Sequence, residues 1–358
     1  MISVLNTVIM ECDKSGLSLC RYSTYCPAPD LSGNCPFLNW NESAGQIQQF
    51  CLTWCSKACG DSSIDDKGIS KSEFVEISRN LDLSGRKEIM SHEQEKKVIE
   101  QYTGFPEKNR LTYTKANETE FIVTMHYLHK FLRPNAKIAD IGAGGGTYTK
   151  ALADEGYLVD AVELTPRYVE EMKSLFAGNS KVSVFEGNAK DLSFLNEDAY
   201  DIVLLMGPVY SLKDFEERKL ACAEALRIAK PGGVVFIAFC MQDAGLIHEI
   251  FMSENPAIEI TTIGYDRETA LVTENTGSSR ILDTMMVVDE LINAVCQENN
   301  ADKVCRFSQD GISQIISKSV NSMNEASFKE WIQYLLATAE RPDLMGFSDH
   351  IVQVLEKR

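Results

Sequence analysis

The chain has 358 residues, 44% of them hydrophobic, with 52 acidic side chains against 35 basic ones and a formal net charge of −17. That length allows about two domains and at least one full-sized core. So acidic a surface disfavours a nucleic acid as partner, because such binding rests on Lys and Arg neutralising phosphates. No apolar run reaches the ~18 residues of a membrane span, and the apolar residues 1–10 lack a basic n-region before Glu11 and Asp13. No secretory signal is expected, and the protein is expected to be cytoplasmic.

Seven of the eleven cysteines (Cys12, Cys20, Cys26, Cys35, Cys51, Cys55 and Cys59) fall within the first 60 residues. In a reducing compartment such clustering points to metal ligands or redox groups more often than to disulfides. Residues 12–45 read as loops and 46–59 as a helix. On that helix Cys51, Cys55 and Cys59 stand at i, i+4 and i+8, with neighbouring Cβ atoms about 5–6 Å apart. They are the expected metal ligands, with the earlier cysteines completing a tetrahedral zinc site or holding an iron–sulfur cluster. The spacing matches neither paired C-x2-C zinc modules nor C-x3-C-x2-C, so it leaves the metal open. The alternative is a loop-rich tail with free or disulfide-bonded cysteines. Residues 61–97 read as a linker and a solvated helix.

From about Glu118 the pattern becomes regular. An apolar helical stripe over 121–132 stops at Arg133-Pro134, and KIADIGAG (137–144) follows as a short buried strand. Helices are expected at 147–155, 167–176 and 215–229, alternating with strands at 158–164, 182–187, 200–207 and 234–240. Pro166 suits a first helical turn, where its missing N–H has no partner to lose. Short apolar runs alternating with helices argue for a parallel sheet covered on both faces. Further on, helices are expected near 282–296 and 325–338, and late strands at 303–307 and 350–355. Cys222, Cys240, Cys296 and Cys305 read as small core hydrophobes.

The stretch Asp140-Ile141-Gly142-Ala143-Gly144-Gly145-Gly146 joins the first strand to the first helix. Glycines there allow a sharp turn and a close approach of ligand to backbone. Glu163, at the tip of the second strand, sits where an open α/β sheet places a carboxylate for the two hydroxyls of a ribose. The glycines do not follow G-x-G-x-x-G, since Thr147 occupies the third position. Asp140, two residues before the first glycine, opposes a pyrophosphate and suits the ammonium end of an amino acid. A ribose, a cation and an amino-acid tail together point to S-adenosylmethionine.

Residues 98–358 resemble a class I S-adenosylmethionine-dependent methyltransferase. The motifs are DIGAGGG (140–146), VELTP (162–166), GNAKDL (187–192), DIVLLMGPVYSL (201–212) and AKPGGVVFIAF (229–239), in order and at fitting spacings. The resemblance implies an α/β, Rossmann-like, seven-stranded and mostly parallel sheet with helices on both faces. Here a small cysteine-rich module (1–60) precedes it, and an acceptor-side insertion (241–300) follows the fifth strand. It implies that Asp140, Gly142 and Gly144 line the methionine portion and that Glu163 takes the ribose hydroxyls. Leu164 would pack the adenine, Asn188 and Ala189 would meet its edge, and Met206 and Gly207 would close over the sulfonium.

Methyl transfer is displacement at an activated carbon, so positioning and desolvation carry much of it. Gly207-Pro208-Val209-Tyr210 stands where nucleobase amino-methylating relatives have Asn/Asp-Pro-Pro-aromatic, and glycine has no side chain to accept from an amine. A small-molecule acceptor, with an O, N or S nucleophile, is therefore expected. Tyr210 and His248 are the candidate catalytic residues on the acceptor side. His126 reads as a core histidine and His129 as a further candidate base, while Arg110 could meet the methionine carboxylate. Met285 and Met286 could line the acceptor pocket. Two alternatives remain at this stage: a protein or RNA acceptor docked by the cysteine-rich module, and a non-catalytic S-adenosylmethionine-binding module.

Overall fold

The computed structural model describes residues 83–104, 107–252, 264–265, 272–274 and 282–358. The cysteine-rich segment, with Cys51, Cys55 and Cys59 and the metal expected there, lies outside the described residues, as does most of the 241–300 insertion. Two compact units divide at residue 88, and the second spans Ile89–Arg358. Of the first, only the opening of helix α1 (Leu83–Gly104) is described. The second unit thus begins nine residues before the boundary at 98 read from the sequence.

After α1 come a 3-10 turn (Glu107–Thr112) and α2 (Lys115–Phe131). The alternating part follows: β1 (Lys137–Ile141), α3 (Thr147–Asp154), β2 (Leu158–Glu163), α4 (Pro166–Leu175), β3 (Val182–Glu186), β4 (Tyr200–Leu205), α5 (Phe215–Ile228) and β5 (Ala229–Met241). A 3-10 turn, Pro208–Ser211, links β4 toward α5. Beyond β5 lie α6 (Gln242–Met252), the short strands β6 (Gly264–Tyr265), β7 (Val272–Glu274) and β8 (Leu282–Asp283), and α7 (Met285–Asn299). The chain closes with β9 (Ala301–Ser308), α8 (Ser317–Asn321), α9 (Glu325–Thr338), α10 (Pro342–Met345) and β10 (His350–Lys357).

The main sheet has the order β3-β2-β1-β4-β5-β10-β9, with β8 paired to β5 off that path. Strands β1 to β5 run parallel, and β10 runs antiparallel to both β5 and β9. The sheet is therefore mixed and eight-stranded, one strand more than the seven expected. The extra strand is the two-residue β8, which pairs in parallel with Cys240 and Met241. The helix expected from residue 282 starts instead at Met285, where the Thr284 hydroxyl caps Val287 N. It ends at Asn300, whose left-handed conformation (φ 51°) breaks the helix just before β9.

Successive strand residues face opposite sides, so continuous apolar runs feed two cores. On β4, Val203 and Leu205 join Ala221, Leu226, Val288 and Leu291 of α5 and α7. Ile202 and Leu204 join Val123 and Leu128 of α2 and Ile332 of α9 on the other face. Glycine-poor, β-branched runs such as Val234–Phe239 can be buried on both sides for this reason.

The return of the chain after the insertion is pinned by charge. Arg218 of α5 donates to both carboxylate oxygens of Asp283 in β8, at 2.9 and 2.5 Å, with side chains 4% and 1% exposed. A bidentate guanidinium–carboxylate pair suits such burial. Removing one partner strands the other charge. Asp283→Ala is expected to cost about 3–5 kcal/mol of stability in urea unfolding. Arg218→Met with Asp283→Leu should recover most of that loss. A double variant as unstable as the single one would show that packing, not the stranded charge, sets the cost.

Candidate active site

The loop from β1 to α3 carries three glycines at positive φ: Gly142 (77°), Gly144 (55°) and Gly146 (76°). At Gly142 the requirement is double, because a Cβ there would come within 2.7 Å of Cδ and Cγ of Pro208. Proline 208, opening the turn after β4, thus seats the two strand-end loops on each other. The loop's amides are committed inside the protein. Gly142 N and Ala143 N donate to Val162 O at 2.8 and 3.0 Å, and Gly146 N donates to Ala143 O at 2.9 Å.

Glu163 ends β2 and is 7% exposed. Its Oε2 accepts from Gly144 N and its Oε1 from Thr165 N, both at 2.8 Å. Each oxygen keeps a further lone pair, so two hydroxyls can still donate to it. Burial pushes its carboxyl above the ordinary range, against the pull of those backbone donors. Asp140, 2% exposed, accepts from the Thr149 hydroxyl at 2.6 Å. Burial pushes Asp140 up to about 6, with the Thr149 hydrogen bond working the other way.

A cleft beside these groups is lined by Gly142, Leu164, Asn188 and Ala189, four of the nine residues expected to bind the cofactor. Asn188 turns its Oδ1 onto Lys190 N at 3.0 Å. The opposite wall includes Gln94 and Val98 of α1, with Pro208, Ser211 and Lys190 also lining the cleft. Gln94 Nε2 donates to Ser211 O at 2.8 Å, and the Tyr168 hydroxyl donates to Tyr102 O at 2.8 Å, which fixes α1 at two points. Sequence reading placed Gln94 in a solvated helix, because α1 is polar along its length and gives no apolar stripe to mark a buried face.

Met206 and Gly207 follow β4, and the Tyr210 hydroxyl donates to Met206 O at 3.1 Å. Tyr210 is buried, and that burial pushes its phenol well above the usual range, so it stays a hydrogen-bond donor. Its ring centroid lies 6.2 Å from that of His350, which sequence reading did not single out. His248 is half-buried, with Nδ1 3.8 Å from Asp349 Oδ2. His126 is exposed rather than in the core, and His129 is exposed and bonded to Glu155. Met286 is 65% exposed, whereas Met285 packs on the core. Cys222 and Cys240 are buried, while Cys296 and Cys305 are partly so.

Arg110 does not stand open to solvent. Its Nη1 and Nη2 bind Glu120 at 2.7 and 3.0 Å. Glu120 continues into a buried group with Asp310 and His350, whose ligand-type atoms lie within 4.8 Å of one another. His350 Nδ1 is 3.2 Å from Asp310 Oδ2 and 3.7 Å from Glu120 Oε2. Burial alone disfavours the imidazolium, and the two carboxylates override it and raise His350 well above the usual histidine range. Two carboxylates then face one guanidinium and one imidazolium, a set that closes on itself. Positions 110, 120, 310 and 350 share no sequence motif, and only the fold unites them.

The Asp140 shift has a thermodynamic consequence. Folding raises this carboxyl, so the folded chain keeps a proton that the unfolded chain loses near pH 4. That contribution is complete below pH 4 and is lost as the pH rises through about 6. Asp140→Asn is therefore expected to be more stable than the parent at pH 8, by up to about 3 kcal/mol, with the gap closing toward pH 4. Urea unfolding at both pH values tests it, and a gap independent of pH would remove Asp140 as the cause.

Comparison with known proteins agrees with this geometry. The family model described as a methyltransferase domain matches residues 139–237, from the middle of β1 into β5. A demethylmenaquinone methyltransferase of Clavibacter sepedonicus is 33% identical over 101 residues, covering 28% of this chain and 40% of that protein. A ubiquinone biosynthesis O-methyltransferase of Leptothrix cholodnii is 32% identical over 104 residues, covering 28% and 43%. The chain thus spans less than half the length of these curated relatives. Among solved structures, a SAM-dependent methyltransferase of Methanosarcina mazei is similar at 16% identity and a TM-score of 0.41, over 64% of this chain and 96% of that one. Residues 139–237, which hold the glycine loop, Asp140 and Glu163, thus match a methyltransferase domain.

Proposed function

We propose that this protein transfers a methyl group from S-adenosylmethionine to a small-molecule acceptor by in-line displacement. The observation that carries the reading is the pair of buried carboxylates at neighbouring strand ends, Asp140 and Glu163, flanking a left-handed glycine loop. A ribose diol and an ammonium group match that pair in donors and in charge. When bound, the cofactor supplies a methyl carbon already activated by its sulfonium.

The chain's own residues orient the reactants and keep out water. Glu163 holds the ribose end and Asp140 the ammonium end, while Leu164, Asn188 and Ala189 bound the adenine cleft. Met206 and Gly207 form the wall nearest the reacting carbon, and Tyr210 stiffens it through the Met206 carbonyl. His248 is assigned to the acceptor side as proton acceptor, oriented toward Asp349. The net charge of −17 and the missing side chain at Gly207 favour a small acceptor over a nucleobase. The two curated relatives are named for demethylmenaquinone and for ubiquinone biosynthesis, and a hydroxylated aromatic acceptor is the class to screen first.

Glu163→Ala should weaken S-adenosylmethionine binding by about 1.5–3 kcal/mol, the scale for losing hydrogen bonds to a charged group. Calorimetry showing unchanged affinity would take Glu163 out of the site. Transfer of label from methyl-labelled cofactor to pooled hydroxylated small molecules tests the reaction. A protein that binds the cofactor tightly and labels nothing across such pools and cell extracts would overturn the catalytic reading.

A further inference from the structure

An adenine presents an exocyclic amine, with two N–H donors, beside a ring nitrogen that accepts. Of the residues assigned to that edge, Ala189 brings a backbone N–H, which suits the ring nitrogen. The Asn188 amide is committed to its own turn. Its Oδ1 accepts from Lys190 N at 3.0 Å, and its backbone carbonyl accepts from Asp191 N at 2.9 Å. An amide oxygen shared in this way is a weak partner for the amine, and an enclosed donor left unpaired is costly.

A stronger acceptor lines the same cleft. Glu217 stands in the first turn of α5, where the Asp214 carboxylate accepts from Glu216 N and Glu217 N at 2.8 and 3.1 Å and so fixes the start of the helix. Glu217 Oε1 accepts from Lys190 Nζ at 2.9 Å, with the two side chains 15% and 13% exposed. Lys190 also lines the cleft and directly follows Ala189. The ion pair therefore holds the carboxylate beside the 188–190 turn and leaves Oε2 to a ligand. An ionised carboxylate only accepts, and its hydrogen bonds are about twice as strong as those between neutral groups. A second carboxylate lining the cleft, that of Glu95, belongs to α1 on the opposite wall.

We infer that Glu217, held in place by Lys190, accepts from the exocyclic amine of the cofactor's adenine and makes the cleft selective for that base. The inference rests on the S-adenosylmethionine reading above. The acceptor for the amine then comes from the helix after β4, and the turn after β3 supplies the lysine that aims it. Glu217 takes no part in the displacement, since it meets the base and not the reacting carbon.

The experiment is calorimetry on the full chain with S-adenosylhomocysteine and with its 6-deamino analogue, in which hydrogen replaces the exocyclic amine and the ring nitrogen stays an acceptor. The parent should bind S-adenosylhomocysteine about tenfold tighter than the analogue, the scale of a hydrogen bond to a charged group. Glu217→Ala should remove that preference by weakening S-adenosylhomocysteine alone. Unchanged binding of the analogue shows that the variant is folded. Asn188→Ala and Glu95→Ala should both keep the preference. An equal loss for both ligands in Glu217→Ala would make the ion pair a purely structural tie and overturn the inference. So would a parent without preference, or a preference that survives Glu217→Ala and disappears in Asn188→Ala or Glu95→Ala. In each of those cases the functional reading stands. A parent protein that binds neither ligand would overturn the functional reading, and this inference with it.

Discussion

Everything at the site depends on a buried carboxylate held at the end of β2. Glu163 ties the glycine loop, through Gly144 N, to the start of the next helix, through Thr165 N. The end of β2 and the glycine loop, 19 residues apart in the chain, therefore meet on one side chain. Two charge-assisted hydrogen bonds from backbone amides are among the stronger neutral-donor contacts a protein can make. They hold the loop in left-handed conformations that only glycine adopts without strain. An alanine at 142 would fail twice, through its own φ and through its clash with Pro208.

That arrangement is costly to the empty fold. Asp140 and Glu163 are both pushed toward protonation by burial. Unfavourable burial of this kind clusters where a ligand supplies the missing partner. Elsewhere the same fold closes its polar contacts on itself. Arg110, Glu120, His350 and Asp310 balance one another, and Ser348 accompanies them by accepting from Gly311 N and donating to His350 O. Arg218 and Asp283 form a second buried pair through both Nη atoms, with Arg218 Nε left without a partner.

The buried pairs also have work to do in the architecture. The insertion leaves the sheet at the end of β5 and returns at β8, which pairs with that same strand end. Arg218 thus fixes the return point from below, and α7 can start from a defined position and cover the face built by α5. On the other side of the sheet, α2 reaches the β9–β10 pair through Gln309 and Thr124 at 2.8 Å. The outer strands are held to the helical layer there by polar contacts as well as by the apolar core.

The amino-acid sequence by itself determined the alternating strands and helices from residue 121 onward, because period-2 and period-3.6 apolar patterns are local and survive without knowledge of neighbours. It also determined the places of the glycine loop and of Glu163, which follow from spacing along one strand–helix–strand unit. Helix 325–338 and the late strands were legible for the same local reason. Only the tertiary structure decided that the sheet has an eighth strand, since two residues carry no periodicity and β8 exists through its pairing and the Arg218 ion pair. Only it set polar α1 against the cleft beside the glycine loop, through hydrogen bonds to Ser211 and Tyr168, more than sixty residues away. Only it showed His126 exposed inside an apolar stripe, which depends on which face α2 turns to the core. The Glu120–Asp310–His350 group belongs to the same class, because a balance of donors and acceptors can be struck only once distant segments are brought together.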